Sequence, residues 1–285
     1  MSFKVFVPSH ITGFFNIENN SNLLKNGSCG AGFLLDKGVI TSIKSSKNDD
    51  ISIKINGNVD LKNETIIREV LNILGIDSGL KITQTIQVPI GAGFGTSASS
   101  ALGVAIGVNE VLNLGNEFTK SGQIAHLAEI NLGTGLGDVI AEMSKGIVLR
   151  VKAGAPGYGE VIFNNNEDIY IACKTFGEIS TSRIINDPYY KKIINSKGLS
   201  LKDRLLDDFS LKNFLNLSYE FASGTSLIKE DVSNLIKTFL SDEDVLGSSM
   251  AMLGNTAFAF SYYKETFNDL AIDIYKLDNE GIKLC

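Results

Sequence analysis

The sequence predicts an α+β protein of two domains, each mixing sheet and helix. Three observations predict it. Segments of period two and of helical period are interleaved along all 285 residues. A glycine-rich turn joins a strand directly to a long apolar helix within 80–112. A proline–glycine cluster, "APGYG" at 155–159, interrupts the pattern midway. The chain is long enough for one large domain or two ordinary ones, and the cluster divides it into 1–155 and 156–285.

The elements follow in order. "FKVFVP" reads as a short strand ending at Pro8, whose ring fixes the backbone and removes a donor. After a polar loop over 16–28, "CGAGFLL" and "GVITSIKS" read as consecutive strands, with "ISIKING" behind them. "ETIIREVLNILG" carries Ile66, Ile67, Val70, Leu71 and Leu74 at helical spacing and stops at Gly75. "LKITQTIQVPI" alternates as a strand should and leads into the glycine turn, from which the long helix leaves. A helix "KSGQIAHLAEINL", a turn "GTGLGD" and a strand "GIVLRVKAG" complete the first half. In the second half "DIYIACKTF" reads as a strand and a charged, mostly helical stretch runs to about Asp242. "GSSMAMLGNTAFAFSYY" fits either a helix–turn or strands, and "LAIDIYKL" closes the chain as a strand.

Composition limits the function. Hydrophobic residues make up 44% and charged ones 20%, as in a globular protein with a core. A net charge of −6 offers no basic stripe for nucleic acid. No apolar run reaches the roughly 18 residues of a membrane helix, and the start lacks a signal-peptide layout, so the expected location is the cytoplasm. Cys29, Cys173 and Cys285 are far apart and form no metal-binding spacing, which suits reduced thiols. Arginines are limited to Arg68, Arg150, Arg183 and Arg204, and histidines to His10 and His126.

The turn "PIGAGFGTSASSALG" admits two readings. Gly91, Gly93 and Gly95 allow close backbone approach, and Thr96, Ser97, Ser99 and Ser100 fall in the first helical turn, where free N–H groups and the helix dipole favour an anion. The alternative is simple N-capping by a hydroxyl. The stretch is neither a Walker-type loop nor a dinucleotide fingerprint.

In its details it resembles the second motif of the GHMP kinases, P-x-x-x-G-L-G-S-S-A, with Pro89, Gly93, Gly95, Ser97 and Ala98 matching and Phe94 and Thr96 as conservative replacements. "VPSHITGFF" resembles the first motif, with Ser9 for glycine and His10 for the basic residue, and "GSSMAMLGNTAFAF" takes the place of the third, with fewer glycines. "HITGFF", "GSCGAGF" and "GTGLGDVIAE" are similar to the archaeal pantoate kinase branch. The resemblance implies an N-terminal domain like domain 2 of ribosomal protein S5 and a C-terminal ferredoxin-like domain, with the active site in a cleft between them.

It also implies ATP and Mg²⁺. The nucleotide would lie on Pro89, Gly91, Gly93, Gly95, Thr96, Ser97 and Ser99, with Ser97 and Glu129 as the Mg²⁺ ligands. Asp138 occupies the position of the catalytic base, and it could equally cap the helix that follows. His10 would stand beside it, orienting substrate or stabilising charge. For a hydroxy acid, Arg150 offers a planar fork to the carboxylate, against the alternative of a strand-end arginine in solvent. Ser28, His126 and Thr181 complete the implied substrate pocket, with Arg183 a weaker candidate. Gly254, Asn255 and Thr256 would approach the triphosphate or substrate, Met250 and Met252 read as core, and Arg68 and Arg204 as solvated. The implied reaction is phosphorylation of (R)-pantoate to (R)-4-phosphopantoate, toward coenzyme A. The rivals are kinases of mevalonate, a mevalonate phosphate or homoserine, and a silent ligand sensor. The expected partners are pantoate and ATP, with neither nucleic acid nor membrane, and a homodimer is the assembly to be tested.

Overall fold

The computed structural model describes residues 1–47, 50–165, 168–179, 184–268 and 271–284. They form an α+β structure on two sheets. The first sheet is built on two long antiparallel strands, β1 (Ser2–Glu18) and β2 (Gly27–Ser45). It also holds β3 (Ile51–Ile55), β4 (Leu80–Ile86), β5 (Ile147–Lys152), β6 (Glu160–Asn164) and β11 (Lys283–Leu284). Its order is β11-β1-β2-β4-β3, and β5 pairs with β2 and β6 with β5. The second sheet is antiparallel throughout, in the order β10 (Asp273–Lys276), β7 (Tyr170–Thr175), β9 (Thr256–Ser261), β8 (Gly247–Met250). Helices α1 (Glu64–Leu74), α2 (Thr96–Leu112), α3 (Phe118–Leu132) and α4 (Asp138–Glu142) accompany the first sheet. Helices α5 (Pro188–Asp207), α6 (Leu211–Gly224) and α7 (Glu230–Leu240) follow β7.

Two expectations about the first strands are corrected. β1 does not stop at Pro8 but continues to Glu18, leaving only 19–26 between the strands. The register of the β1–β2 ladder shifts between Pro8 and Ser9, and a bulge is where a strand tolerates a residue without an N–H. The segments read as consecutive strands are one strand, β2. Its first half pairs with β5 over Gly30–Phe33 and its second half with β4 over Val39–Ser45. The exposed pair Asp36 and Lys37 lies where β2 changes neighbours, so it looks like a turn in sequence alone. In the second half, "GSSMAMLGNTAFAF" resolves into β8 and β9. Every residue of β9 is buried, which removes the alternation that would have told strand from helix.

Helix α2 is the axis of the first half. Nearly all its residues are buried, including Gly103 and Gly107, because β1 and β2 cover one side and α1 and α3 the other. A helix apolar on all faces belongs in a core, and here the burial fixes where its N-terminus points. Strand β6, beyond the 155–159 turn, stays in the first sheet by pairing with β5. One core runs through both sheets: Phe33 of β2 packs edge-on against Phe258 and Phe260 of β9, with ring centroids 5.0 and 4.8 Å apart.

Candidate active site

A cavity of about 430 Å³ opens at the N-terminus of α2. Its wall includes Gly91, Gly93, Phe94, Gly95, Thr96 and Ser97 from the glycine turn. The three glycines take φ of 72°, 88° and 63°, left-handed values that a β-carbon makes costly. Space excludes a side chain at the last of them as well, since a β-carbon on Gly95 would lie 2.6 Å from Glu142 Oε1 and 3.1 Å from the carbonyl of His10. Gly95 is itself the N-cap of α2, and no side chain among the described residues caps the helix. The capping alternative therefore fails, and the first N–H groups of a 17-residue helix, unbonded by any side chain among the described residues, face the side where an anion would sit. Behind the turn, Thr256 Oγ1 donates to the carbonyl of Ala92 at 2.8 Å, and Gly254 packs on Gly93. The Gly254–Thr256 segment thus braces the glycine turn from behind, and it does not line the cavity as expected.

Opposite the turn lie the carboxylates. Glu129, near the end of α3, is 3% exposed. Its Oε1 accepts hydrogen bonds from Ser97 Oγ and Thr134 Oγ1, both at 2.5 Å. Burial pushes its carboxyl up to about 7, against the two hydroxyl donors and with help from the charge of Asp138. A carboxylate and a hydroxyl converging from two helices are hard oxygen donors of the kind that suit Mg²⁺. Asp138 opens α4 but does not cap it. Its Oδ1 instead meets His10 Nδ1 at 2.7 Å, and its side chain keeps 26% exposure toward the cavity.

Burial opposes charge on Asp138, yet the hydrogen bond from His10 and the positive charge of Arg150 outweigh it and hold the carboxyl below its ordinary value. His10 is fully buried. Burial lowers its pKa despite Asp138, and the charge of Arg150 lowers it further, so the surroundings favour the neutral ring. An ionised carboxylate can only accept, so Nδ1 carries the hydrogen and Nε2 is free to accept. Nε2 lies 3.4 Å from Nη1 of Arg150. Arg150, on β5, is 1% exposed and lines the cavity, which removes the solvent alternative for it. Its Nε has no partner among the described residues. Asp138, His10 and Arg150 thus form a line of side chains from α4, β1 and β5, of which Asp138 and Arg150 line the cavity and His10 lies buried behind them. Gly137 permits it: a β-carbon there would lie 2.4 Å from Ser28 Oγ and 2.8 Å from Arg150 Nε.

The remaining expected residues divide. Ser28 is buried and lines the cavity beside Gly137. Pro89 precedes the wall and does not line it. Ser99 is also absent from the lining. Its Oγ points into the protein, 2.9 Å from Glu142 Oε1 and 3.3 Å from the carbonyls of Pro8 and Gly95. Two residues along a helix turn the side chain by about 200°, so Ser97 and Ser99 cannot both face the cavity. Ser100, three residues on from Ser97, returns to that face and lines it, and this spacing was readable in the sequence. His126 is 1% exposed, with Nε2 3.3 Å from the carbonyl of Leu23, so its ring is engaged with the β1–β2 connection and does not line the cavity. Thr181 and Arg183 lie outside the described residues. Arg68 and Arg204 are half exposed, paired with Glu64 and Glu220; Met250 is core, and Met252, also buried, lines the cavity. The sequence reading also missed Thr134, Glu142 and Lys62. The last lines the cavity mouth and pairs with Glu178 at 2.9 Å, an exposed ion pair that contributes little to stability.

A cavity that joins a glycine-rich helix N-terminus to an ionised aspartate is suited to phosphoryl transfer to a small molecule. Comparison with known proteins gives the same class. Residues 43–146 match the GHMP kinases N terminal domain. The chain is 38% identical to a pantoate kinase of Methanocaldococcus jannaschii over 95% of its own length and 97% of that protein's. It is 32% identical to a pantoate kinase of Thermococcus kodakarensis, over 91% and 87%. Among solved structures, a phosphotransferase related to the CoA biosynthesis pathway superposes with a TM-score of 0.88 at 28% identity, covering 100% of this chain and 99% of that one. A homoserine kinase from Cytophaga hutchinsonii shares the fold, with a TM-score of 0.68 at 21% identity over 100% and 97%. The chain belongs to the GHMP kinase family, alongside the pantoate kinases. Among the described residues, no helix is long and apolar enough to cross a membrane.

Proposed function

We propose that the protein transfers the γ-phosphoryl group of ATP to the primary hydroxyl of (R)-pantoate, giving (R)-4-phosphopantoate. The observation that carries this reading is that Asp138 and Arg150, linked through the buried His10, line the cavity whose wall is the glycine turn. The N-terminus of α2 binds the triphosphate through backbone N–H groups. Ser97 and Glu129 would hold Mg²⁺, which would supply positive charge against the phosphates. Asp138 accepts the hydroxyl proton of the substrate, since its pKa is held low and it is ionised throughout the neutral range. His10, neutral and donating from Nδ1, fixes the carboxylate. Arg150 pairs with the substrate carboxylate, with Ser28 beside it. A cation this deeply buried gains most from a partner that arrives with an opposite charge. The same reading places the enzyme in the cytoplasm and includes a homodimer, which light scattering tests.

The test is ADP release from Mg-ATP with (R)-pantoate, mevalonate, homoserine or galactose in turn. Turnover of pantoate above the other three supports the reading. Turnover of homoserine or mevalonate in its place would refute the substrate while leaving the kinase.

A further inference from the structure

Glu142 closes the single turn of α4 that Asp138 opens, and it is fully buried. Its Oε1 lies 2.9 Å from Ser99 Oγ, and its Oε2 has no partner among the described residues. Ser99 is also fully buried, and its hydroxyl faces three oxygens at once: Glu142 Oε1 and the carbonyls of Pro8 and Gly95. A hydroxyl has one hydrogen. With Glu142 ionised, three acceptors would compete for it, and an unpaired negative charge would lie directly behind Gly95, where the triphosphate of the proposed substrate binds. With Glu142 protonated, its hydroxyl donates to Ser99 Oγ, and Ser99 is free to donate to a backbone carbonyl.

From this geometry we infer that Glu142 is a neutral carboxylic acid and a positioning residue, setting the distance between the base Asp138 and the glycine turn. The contact joins α4, α2 and β1. It stands one turn after Asp138 and touches the first turn of the helix that starts at Thr96. The surroundings agree. Burial raises the Glu142 carboxyl well above its ordinary value, the charges of Asp138 on α4 and Glu129 on α3 raise it further, and only the Ser99 hydrogen bond opposes them. The inference rests on the proposed kinase reading for its effect on rate, but not for the state of the carboxyl.

Two experiments test it. The first is an infrared difference spectrum at pH 7 between the wild type and Glu142→Gln. The expected result is a protonated-carboxyl band in the wild type that the variant lacks. Loss of an ionised-carboxylate band would overturn the inference, and this readout needs no substrate. The second compares Glu142→Gln with Glu142→Ala. Glutamine keeps the shape and can donate to Ser99, so kcat stays within about threefold of wild type. Alanine releases the contact and lowers kcat by roughly 100-fold, the effect of a displacement of about 1 Å, with the KM for pantoate little changed. Equal losses in both variants, or none in the alanine variant, would overturn it. If pantoate proves not to be the substrate, the affinity for Mg-ADP by calorimetry takes the place of kcat, with the same order expected. If the alanine variant does not fold, the infrared band and the glutamine variant still decide.

Discussion

Asp138→Asn separates base chemistry from architecture. Asparagine is nearly isosteric, and its carbonyl oxygen can accept from His10 Nδ1 where Asp138 Oδ1 now does at 2.7 Å. What it cannot do is take a proton from the substrate. A positioned general base contributes between about 10²- and 10⁴-fold. Phosphoryl transfer depends more on positioning and charge stabilisation than on a strong nucleophile, which favours the lower end. We expect kcat to fall by about 100-fold, or about 2.7 kcal/mol of barrier, with the KM for ATP within about threefold. The assay is ADP release at saturating ATP and pantoate, with a thermal melt to confirm the fold. A kcat within twofold of wild type in a folded variant would refute the assignment of Asp138, since no other carboxylate touches His10 in the described structure.

Three further outcomes follow from the geometry. Arg150→Met removes the proposed carboxylate partner. A charged hydrogen bond is worth about 1.5–3 kcal/mol, so the KM for pantoate should rise roughly 10- to 150-fold with the KM for ATP unchanged, as read from initial rates. Gly95→Ala forces a β-carbon onto Glu142 and onto a φ of 63°, so it should lower stability by about 1–3 kcal/mol and weaken Mg-ATP binding, measured by melting and calorimetry. The third outcome concerns pH. Glu129 releases its proton near 4.5 when unfolded and near 7 when folded. Between those values the folded state holds the extra proton, so rising pH favours unfolding. In metal-free buffer the stability of wild type relative to Glu129→Gln should therefore decline from pH 4.5 to 7, by roughly 3 kcal/mol, and then level off. Denaturant melts across that range check it, and a gap independent of pH would contradict the burial of this carboxyl.

Local chemistry made the glycine turn legible in the sequence, and the family resemblance supplied Glu129, Asp138 and His10. Gly91, Gly93 and Gly95 between an alternating strand and an apolar helix are legible as a close-approach turn, with an anion site and simple N-capping as the two readings. Ser97, Glu129, Asp138 and His10 do converge on or beside the cavity. The less legible features depend on pairing between distant segments. The burial of Arg150 arises because β5 joins β2 at Gly30, a register that no local pattern encodes. Pro8 is accepted inside β1 because a bulge falls there. Ser99 reads as a second phosphate ligand, and nothing in the local sequence singles out Glu142. Only the crossing of α2 and α4 turns them toward each other and away from water. His126 shares a helix with Glu129, yet its ring is committed to the carbonyl of Leu23.

The central claim is that this cleft phosphorylates a hydroxy acid on its primary hydroxyl. The most direct measurement follows the ³¹P NMR spectrum of the protein with Mg-ATP and (R)-pantoate. The expected result is one phosphomonoester, coupled to the methylene protons of the primary alcohol, growing in step with ADP. Growth of inorganic phosphate alone, or no change with pantoate while homoserine or mevalonate is phosphorylated, would contradict it.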